Sequence, residues 1–164
     1  MRRSTLEWVA EILSLTILIG SFIYLLVNWG LIPDKVPTHF GFSGKPDAWG
    51  QKTSLWILPS INLLIWVVLT VASRSPSLLN IPFTIDRNHP VIQRILVNFS
   101  IVLKLIINTI LGYITVQSAR VAMASADGMG NVFILASILI LALVMIFYQS
   151  RLKRTQQAIY DEVQ

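Results

Sequence analysis

The sequence predicts an all-α integral membrane protein, a four-helix bundle with an ordered extracytoplasmic loop between its first two helices. The chain of 164 residues is 54% hydrophobic and only 13% charged, with a mean hydropathy of +0.67. Soluble domains carry about 25% charged residues. Several apolar runs reach the roughly 20 residues that a helix needs to cross a bilayer. We therefore expect one membrane domain over residues 1–164. The sequence contains no cysteine, which excludes disulfides and thiolate metal sites.

Four apolar segments define the predicted spans. They cover about residues 8–27, 55–72, 91–118 and 132–148. Trp8 and Trp29 bracket the first span, where interfacial aromatic residues are typical. A cleaved signal peptide is the alternative for this run, but Glu11 interrupts it and no small-x-small cleavage site follows. The tail at 149–164 is basic and then acidic, and it is expected to continue as a helix that leaves the membrane.

The basic residues predict the orientation. The N-terminus, the second loop and the tail hold eight Lys and Arg residues, whereas the first and third loops hold four. The positive-inside rule then places both termini in the cytoplasm and the loop at 28–54 outside, with the plasma membrane as the expected location. Cations beside apolar segments favour the lipid bilayer as a partner over nucleic acid. No cofactor is expected.

The stretch Pro33–Lys52 is polar and dense in Pro and Gly, which rules out a continuous helix and favours a folded loop or short strands. Such backbone must lie outside the hydrocarbon or be buried in protein. His39, Asp34 and Asp47 could together bind zinc or another divalent cation, and Trp49 joins them as a candidate ligand contact. Alternatively, the acids cap turns, His39 bonds to backbone and the aromatic rings pack the loop onto the helix ends.

The two loops also carry a recognisable pattern. The first loop supplies Leu31, Pro33, Asp34, Val36, Pro37, His39, Phe40, Gly44, Pro46, Asp47, Trp49, Gly50 and Lys52, and the second supplies Asn80, Pro82, Ile85 and Asn88. This pattern resembles a bacterial family of uncharacterised membrane proteins, the domain of unknown function family 1648, which is related to the N-terminal module of the SdpI toxin-immunity protein. The resemblance implies a multi-span bacterial membrane protein and raises recognition of a peptide or toxin as an expectation.

Lys104 stands near the middle of the third span. A Lys at the bilayer centre costs about 2.5–3.5 kcal/mol, so it normally faces the bundle interior or water. It belongs to a polar stripe on one helical face, composed of Arg94, Asn98, Lys104, Asn108 and Thr115. Counting about 1.5 Å per residue puts Lys104 roughly 20 Å from the cytoplasmic end of its helix, level with Asn62.

Tyr24 and Ser137 are expected slightly nearer the outer surface. Together with Lys104 and Asn62, they could line an outward-opening polar pocket. No carboxylate is expected at that depth. The alternative is that Lys104 snorkels outward or acts as helix–helix glue. Glu11 and Arg94, each about one turn inside the cytoplasmic boundary, are predicted to form a structural ion pair, with Arg74 as a competing partner.

Catalysis finds little support in the sequence. Neither His39 nor His89 is placed beside an evident nucleophile and orienting acid, and no Gly-rich loop has a phosphate-binding context. We therefore predict a non-enzymatic binding or interaction role towards an extracytoplasmic peptide, a toxin or a partner membrane protein. A small transporter or channel-like component that uses the Lys104 stripe is the first alternative. An accessory subunit that docks through its aliphatic fourth span is the second.

Overall fold

The structure, a computed structural model, describes residues 3–75, 85–86 and 88–163. It confirms the all-α prediction with four helices that are long and apolar enough to cross a membrane: α1 Thr5–Asn28, α2 Ile57–Arg74, α3 Pro90–Ala122 and α4 Asn131–Val163. A short 3-10 turn at Lys52–Trp56 leads into α2.

Local sequence explains where the helices begin and end. Ser4 and Glu7 form a capping box at the start of α1, in which each side chain satisfies the other's backbone N–H. Pro90 occupies the first turn of α3, where its missing N–H costs nothing. The tail after residue 148 contains neither Gly nor Pro, and the structure confirms that α4 continues through it.

Helix α3 is the centre of the bundle. Helix α1 runs parallel to it, and the two approach closely at Gly112, where an added Cβ would lie 2.8 Å from Ile17. Helices α2 and α4 run antiparallel to α3. Two contacts along each helix show this: Asn62–Asn108 and Thr70–Lys104 for α2, and Tyr113–Phe133 and Phe99–Tyr148 for α4. Both chain ends therefore lie on one face of the bundle, called here the terminal face, and the first loop lies on the opposite, hairpin face.

The first loop folds into an antiparallel β-hairpin. Strand β1 (Lys35–Phe40) pairs with β2 (Pro46–Gln51), and a bulge interrupts the register around Thr38. Val36 of β1 is fully buried in a cluster with Leu25, Ile32, Leu55 and Ala119, which joins the hairpin to α1 and α3. The short strands are one of the two forms predicted for this loop.

Both ends of the hairpin are fixed to the bundle. At the tip, the carbonyl of Gly44 accepts a 2.7 Å hydrogen bond from the backbone N–H of Met129 in the α3–α4 loop. Gly44 itself has a φ of +71°, a conformation that Gly adopts without strain. At the base, the Lys52 ammonium donates to the carbonyl of Trp29 and lies 4.5 Å from the centre of that ring. The hairpin is thus an anchored part of the fold.

Residues 76–84 and 87 of the second loop, Asn80 and Pro82 of the family pattern included, lie outside the described residues. Its end contacts the tail of α4, because the backbone N–H of Asp86 donates to Oε1 of Gln156 at 2.7 Å. Ile85 packs against a cluster formed by Ile92, Ile95, Leu96, Tyr148 and Leu152, which joins α3 to α4 near the terminal face.

We predict that Gly128→Ala loosens the hairpin. The added Cβ would lie 2.2 Å from the carbonyl oxygen of Gly44, so the loop or the hairpin tip must shift. Overpacking of this kind costs about 1–3 kcal/mol, which should lower the midpoint of thermal unfolding in detergent. Gly30→Ala is the matched control, because its Cβ would meet nothing within 4 Å. Equal melting of the two variants would contradict the tip contact.

Candidate functional sites

The most buried charged group is Lys104, which has no exposed surface. Its ammonium donates to the Glu11 carboxylate of α1 and, at 2.9 Å, to the Thr70 hydroxyl of α2. The Trp66 ring lies beside it, with its centre 5.2 Å from the nitrogen. Lys104 therefore connects α3 to α1 and to α2 by charge-assisted hydrogen bonds, which are stronger than neutral ones.

Glu11 is shared between two cations. Its other carboxylate oxygen accepts from the guanidinium of Arg3 at 3.0 Å. Arg3 also donates to the hydroxyl of Ser73 on α2 at 3.2 Å. The carboxylate thus has a cation on each side, and the buried charge of Lys104 is compensated within the bundle.

The predicted pair between Glu11 and Arg94 is wrong. Arg94 instead contacts Glu7, with 2.8 Å between its guanidinium nitrogen and the carboxylate oxygen. Helix α3 begins beyond the start of α1, so Arg94 reaches the first turn of α1, where the capping box holds Glu7. Glu11 lies one turn deeper and meets Lys104.

The expectation that no carboxylate matches the depth of Lys104 is also wrong. A helix of 33 residues is about 50 Å long, whereas the hydrocarbon core is about 30 Å thick. Counting from the first residue of α3 therefore places Lys104 too deep. Glu11 is six residues from the start of α1 and Thr70 is four residues from the end of α2, so all three lie within about two turns of the terminal-face ends of those helices.

The predicted outward-opening pocket is only partly assembled. The Asn62 amide donates to the carbonyl of Asn108 at 3.5 Å, and the Asn108 amide donates to the carbonyl of Lys104 at 2.7 Å. Tyr24 instead packs against the apolar cluster under the hairpin, and Ser137 lines a separate groove between α3 and α4. Lys104 contacts groups that open towards the terminal face, opposite to the expectation.

Buried polar groups continue along α3 beyond Lys104. Asn108, Thr115 and Ser118 are buried on this helix, and Asn62 of α2 and Ser21 of α1 are buried as well. The side-chain oxygens of Asn62 and Asn108 have no hydrogen-bond partner within the described protein. A buried polar atom without a partner is costly, and ordered water often satisfies such groups.

The polar residues of the hairpin separate into two places. Nδ1 of His39 lies 2.5 Å from Oδ1 of Asp47, and the two side chains are 69% and 53% exposed. Asp34 stands at the hairpin base, where its backbone carbonyl accepts from the N–H of Lys52 at 2.8 Å. Trp49 is exposed on β2. Within the described residues no three His, Cys, Asp or Glu side chains gather into a metal site, so the proposed zinc ligands are not brought together.

Two clefts open at opposite ends of the bundle. The hairpin cleft has a volume of about 400 Å³ and lies between β1 and the helices α2, α3 and α4. Its walls are mainly apolar and include Thr38, His39, Leu58, Ile114, Ser118 and Phe133. The terminal cleft, about 340 Å³, lies between α1 and α2 and is lined by Arg3, Trp8, Glu11, Ile12, Leu15, Trp66, Thr70 and Arg74.

We predict that Glu11→Gln destabilises the bundle strongly. Lys104 would keep its buried charge without a counter-ion, and breaking a buried pair in this way costs about 3–5 kcal/mol. The measurement is thermal or denaturant unfolding in detergent. Glu7→Gln is the matched control, because Gln preserves the capping box. Its partner Arg94 is about one-third exposed, so the free energy of unfolding should fall by about 1 kcal/mol or less.

The double variant Glu11→Gln with Lys104→Met removes both charges and should recover much of the lost stability. If Glu11→Gln melts like the parent protein, the ion cluster is not buried as the structure has it.

Comparisons with known proteins find similarity in the segment that carries the hairpin. Residues 16–63, from α1 through the hairpin into α2, match the family described as Domain of unknown function (DUF1648). An uncharacterised protein of Archaeoglobus fulgidus is 32% identical over 69 residues, which span 37% of this chain and 38% of that protein. No solved structure gives a significant match. The family resemblance predicted from the loop is therefore confirmed: the segment that carries the hairpin matches this family of unknown function.

Proposed function

We propose that the protein is a binding component of the membrane, and that its hairpin cleft receives an apolar segment of a peptide or of a partner membrane protein. The observation that carries the proposal is the cleft of about 400 Å³ beneath the anchored hairpin. Ligand sites in proteins are typically concave, mostly apolar and about 300–1,000 Å³ in volume. The few polar groups here, His39, Ser54 and Ser118, lie among apolar walls and could orient such a ligand.

Anchoring of the hairpin supports this role. The tip is held by the Gly44–Met129 hydrogen bond and the base by Lys52 on Trp29. The loop that receives the tip is itself fixed, because Tyr113 donates to the carbonyl of Met129 and Gln117 to that of Gly128. A site that is already formed loses less conformational entropy on binding, which favours affinity.

The proposal uses recognition and no catalytic step. The side chain that His39 contacts is Asp47, which lies with it on an exposed part of the hairpin. With the orientation predicted from Lys and Arg, the hairpin face is extracytoplasmic. SdpI-like recognition of a peptide or toxin would then take place on the outer side of the membrane.

Site-specific photo-crosslinking tests the proposal. A benzophenone amino acid at Thr38, on the exposed rim of the cleft, should give one discrete protein adduct in producing cells. Leu58→Trp narrows the cleft from the α2 wall and should abolish that adduct. Leu64→Trp is the matched control, because Leu64 is exposed on the same helix and lies outside the described clefts.

Both Trp variants must elute and melt like the parent protein for the comparison to hold. An adduct that survives Leu58→Trp, or the absence of any protein adduct, would reject the hairpin cleft as the binding site.

A second candidate function is movement of protons or a small anion, and the buried polar face of α3 favours it. Glu11 and Thr70 line the terminal cleft and contact Lys104. From Lys104 the buried polar groups continue through Asn108 and Thr115 to Ser118, which lines the hairpin cleft. Polar groups thus extend from one cleft to the other along a single helix.

Flux into liposomes tests this second function. If it is correct, the parent protein carries protons or a small anion faster than protein-free liposomes, and the charge-neutral variant Glu11→Gln with Lys104→Met loses that flux. Thr109→Val is the matched control, since Thr109 is an exposed polar residue of the same helix that bonds only to its own helix in the described structure. Parent protein that behaves like empty liposomes would exclude transport by this chain alone.

A further inference from the structure

We propose that the terminal cleft is a binding site for the headgroup and first acyl segment of an anionic phospholipid. The site is distinct from the hairpin cleft and does not depend on the proposed binding role. It lies between α1 and α2 at the end of the bundle that carries both chain termini.

The charge of the cleft favours an anion. Arg3 and Arg74 line it together with Glu11, and Lys104 contacts Glu11 from behind. These four groups therefore comprise three cations and one carboxylate, which leaves a net charge of two positive units at the cleft. Arg74 is exposed and forms no ion pair within the described residues.

The Arg side chains have donors to spare. A guanidinium carries five N–H donors in a planar fork that suits a phosphate. In Arg3, one terminal nitrogen donates to Glu11 and the other to Ser73, which leaves further N–H groups in the cleft. Arg3 also lies over the Trp8 ring at 5.6 Å, so its position at the cleft mouth is defined on two sides.

The walls below the Arg side chains are apolar, which selects a lipid over a free anion. Ile12 and Leu15 of α1 face Trp66 of α2 across the cleft. Trp8 stands at the mouth, where Trp residues of membrane proteins meet the headgroup region. Arg3 and Arg74 are near the terminal-face ends of α1 and α2, and basic residues at the ends of membrane-spanning helices attract anionic lipid headgroups. A free phosphate would use only the mouth of the cleft, whereas a phospholipid would also cover its walls.

Native mass spectrometry of the full chain in detergent tests the proposal, with phosphatidylglycerol as the anionic probe and phosphatidylcholine as the zwitterionic one. One phosphatidylglycerol should be retained per chain, in preference to phosphatidylcholine. Arg74→Gln removes one cationic contact and should weaken retention about fivefold. Arg154→Gln is the matched control, because it removes the same charge from the exposed tail on the same face and should leave retention unchanged.

The apolar wall has its own pair of variants. Ile12→Trp fills the cleft and should reduce retention, whereas Ile19→Trp, on an exposed part of α1 outside the cleft, should not. Glycerol 3-phosphate, the headgroup without acyl chains, should not compete.

Three results would overturn the proposal: equal retention of the two lipids, equal effects of Arg74→Gln and Arg154→Gln, or full competition by glycerol 3-phosphate, which would indicate a site for free anions. Lipid retention is measured by native mass spectrometry on the purified protein alone. The result is therefore independent of whether the hairpin cleft binds a partner.

Discussion

The buried contact between Lys104 and Glu11 is the interaction on which the arrangement of the helices depends. In lipid, helices gain little from apolar packing alone, because lipid tails are as apolar as the side chains they would replace. Lys104 extends from α3 to Glu11 on α1 and to Thr70 on α2. A charge at this position must find its partner, so the two contacts specify the register of three helices. Replacing both members of such a pair with apolar residues is often neutral for stability, whereas removing one member alone is costly.

That register also produces the clefts. Helices α1 and α2 both pack along α3 and also contact each other directly, where Trp66 donates to the hydroxyl of Ser14 at 3.2 Å. Towards the terminal face from this contact the two helices leave the cationic cleft open. At the other end, the hairpin spans the bundle and roofs the apolar cleft. Helix α4 adds a wall to the hairpin cleft but is otherwise the least buried of the four helices. Most of its large apolar side chains are exposed, so this face is available to lipid or to another helix.

Local features of the sequence predicted the elements well, whereas contacts between elements were harder to predict. Apolar runs predict the spans, and the Gly and Pro residues predict the non-helical loop that forms the hairpin. Both features depend only on residues that are close in sequence. The partner of Lys104 depends on how far α3 extends past α1, which no local pattern encodes. A general rule could still have found it, because Glu11 and Lys104 are opposite charges in apolar spans and each needs a partner. The proposed metal triad failed similarly: strand register brings Asp47 to His39 and leaves Asp34 at the hairpin base.

The two clefts share one element, and this limits how they could communicate. The hairpin cleft is formed on α2, α3 and α4, and the terminal cleft on α1 and α2. Helix α2 therefore lines both, with Leu58 near one end and Trp66 and Thr70 near the other. A ligand in one cleft can affect the other only if it favours a different position of α2, because coupling requires unequal binding to two states. Such a movement would change the bond between Thr70 and Lys104, which fixes α2 to the centre of the bundle.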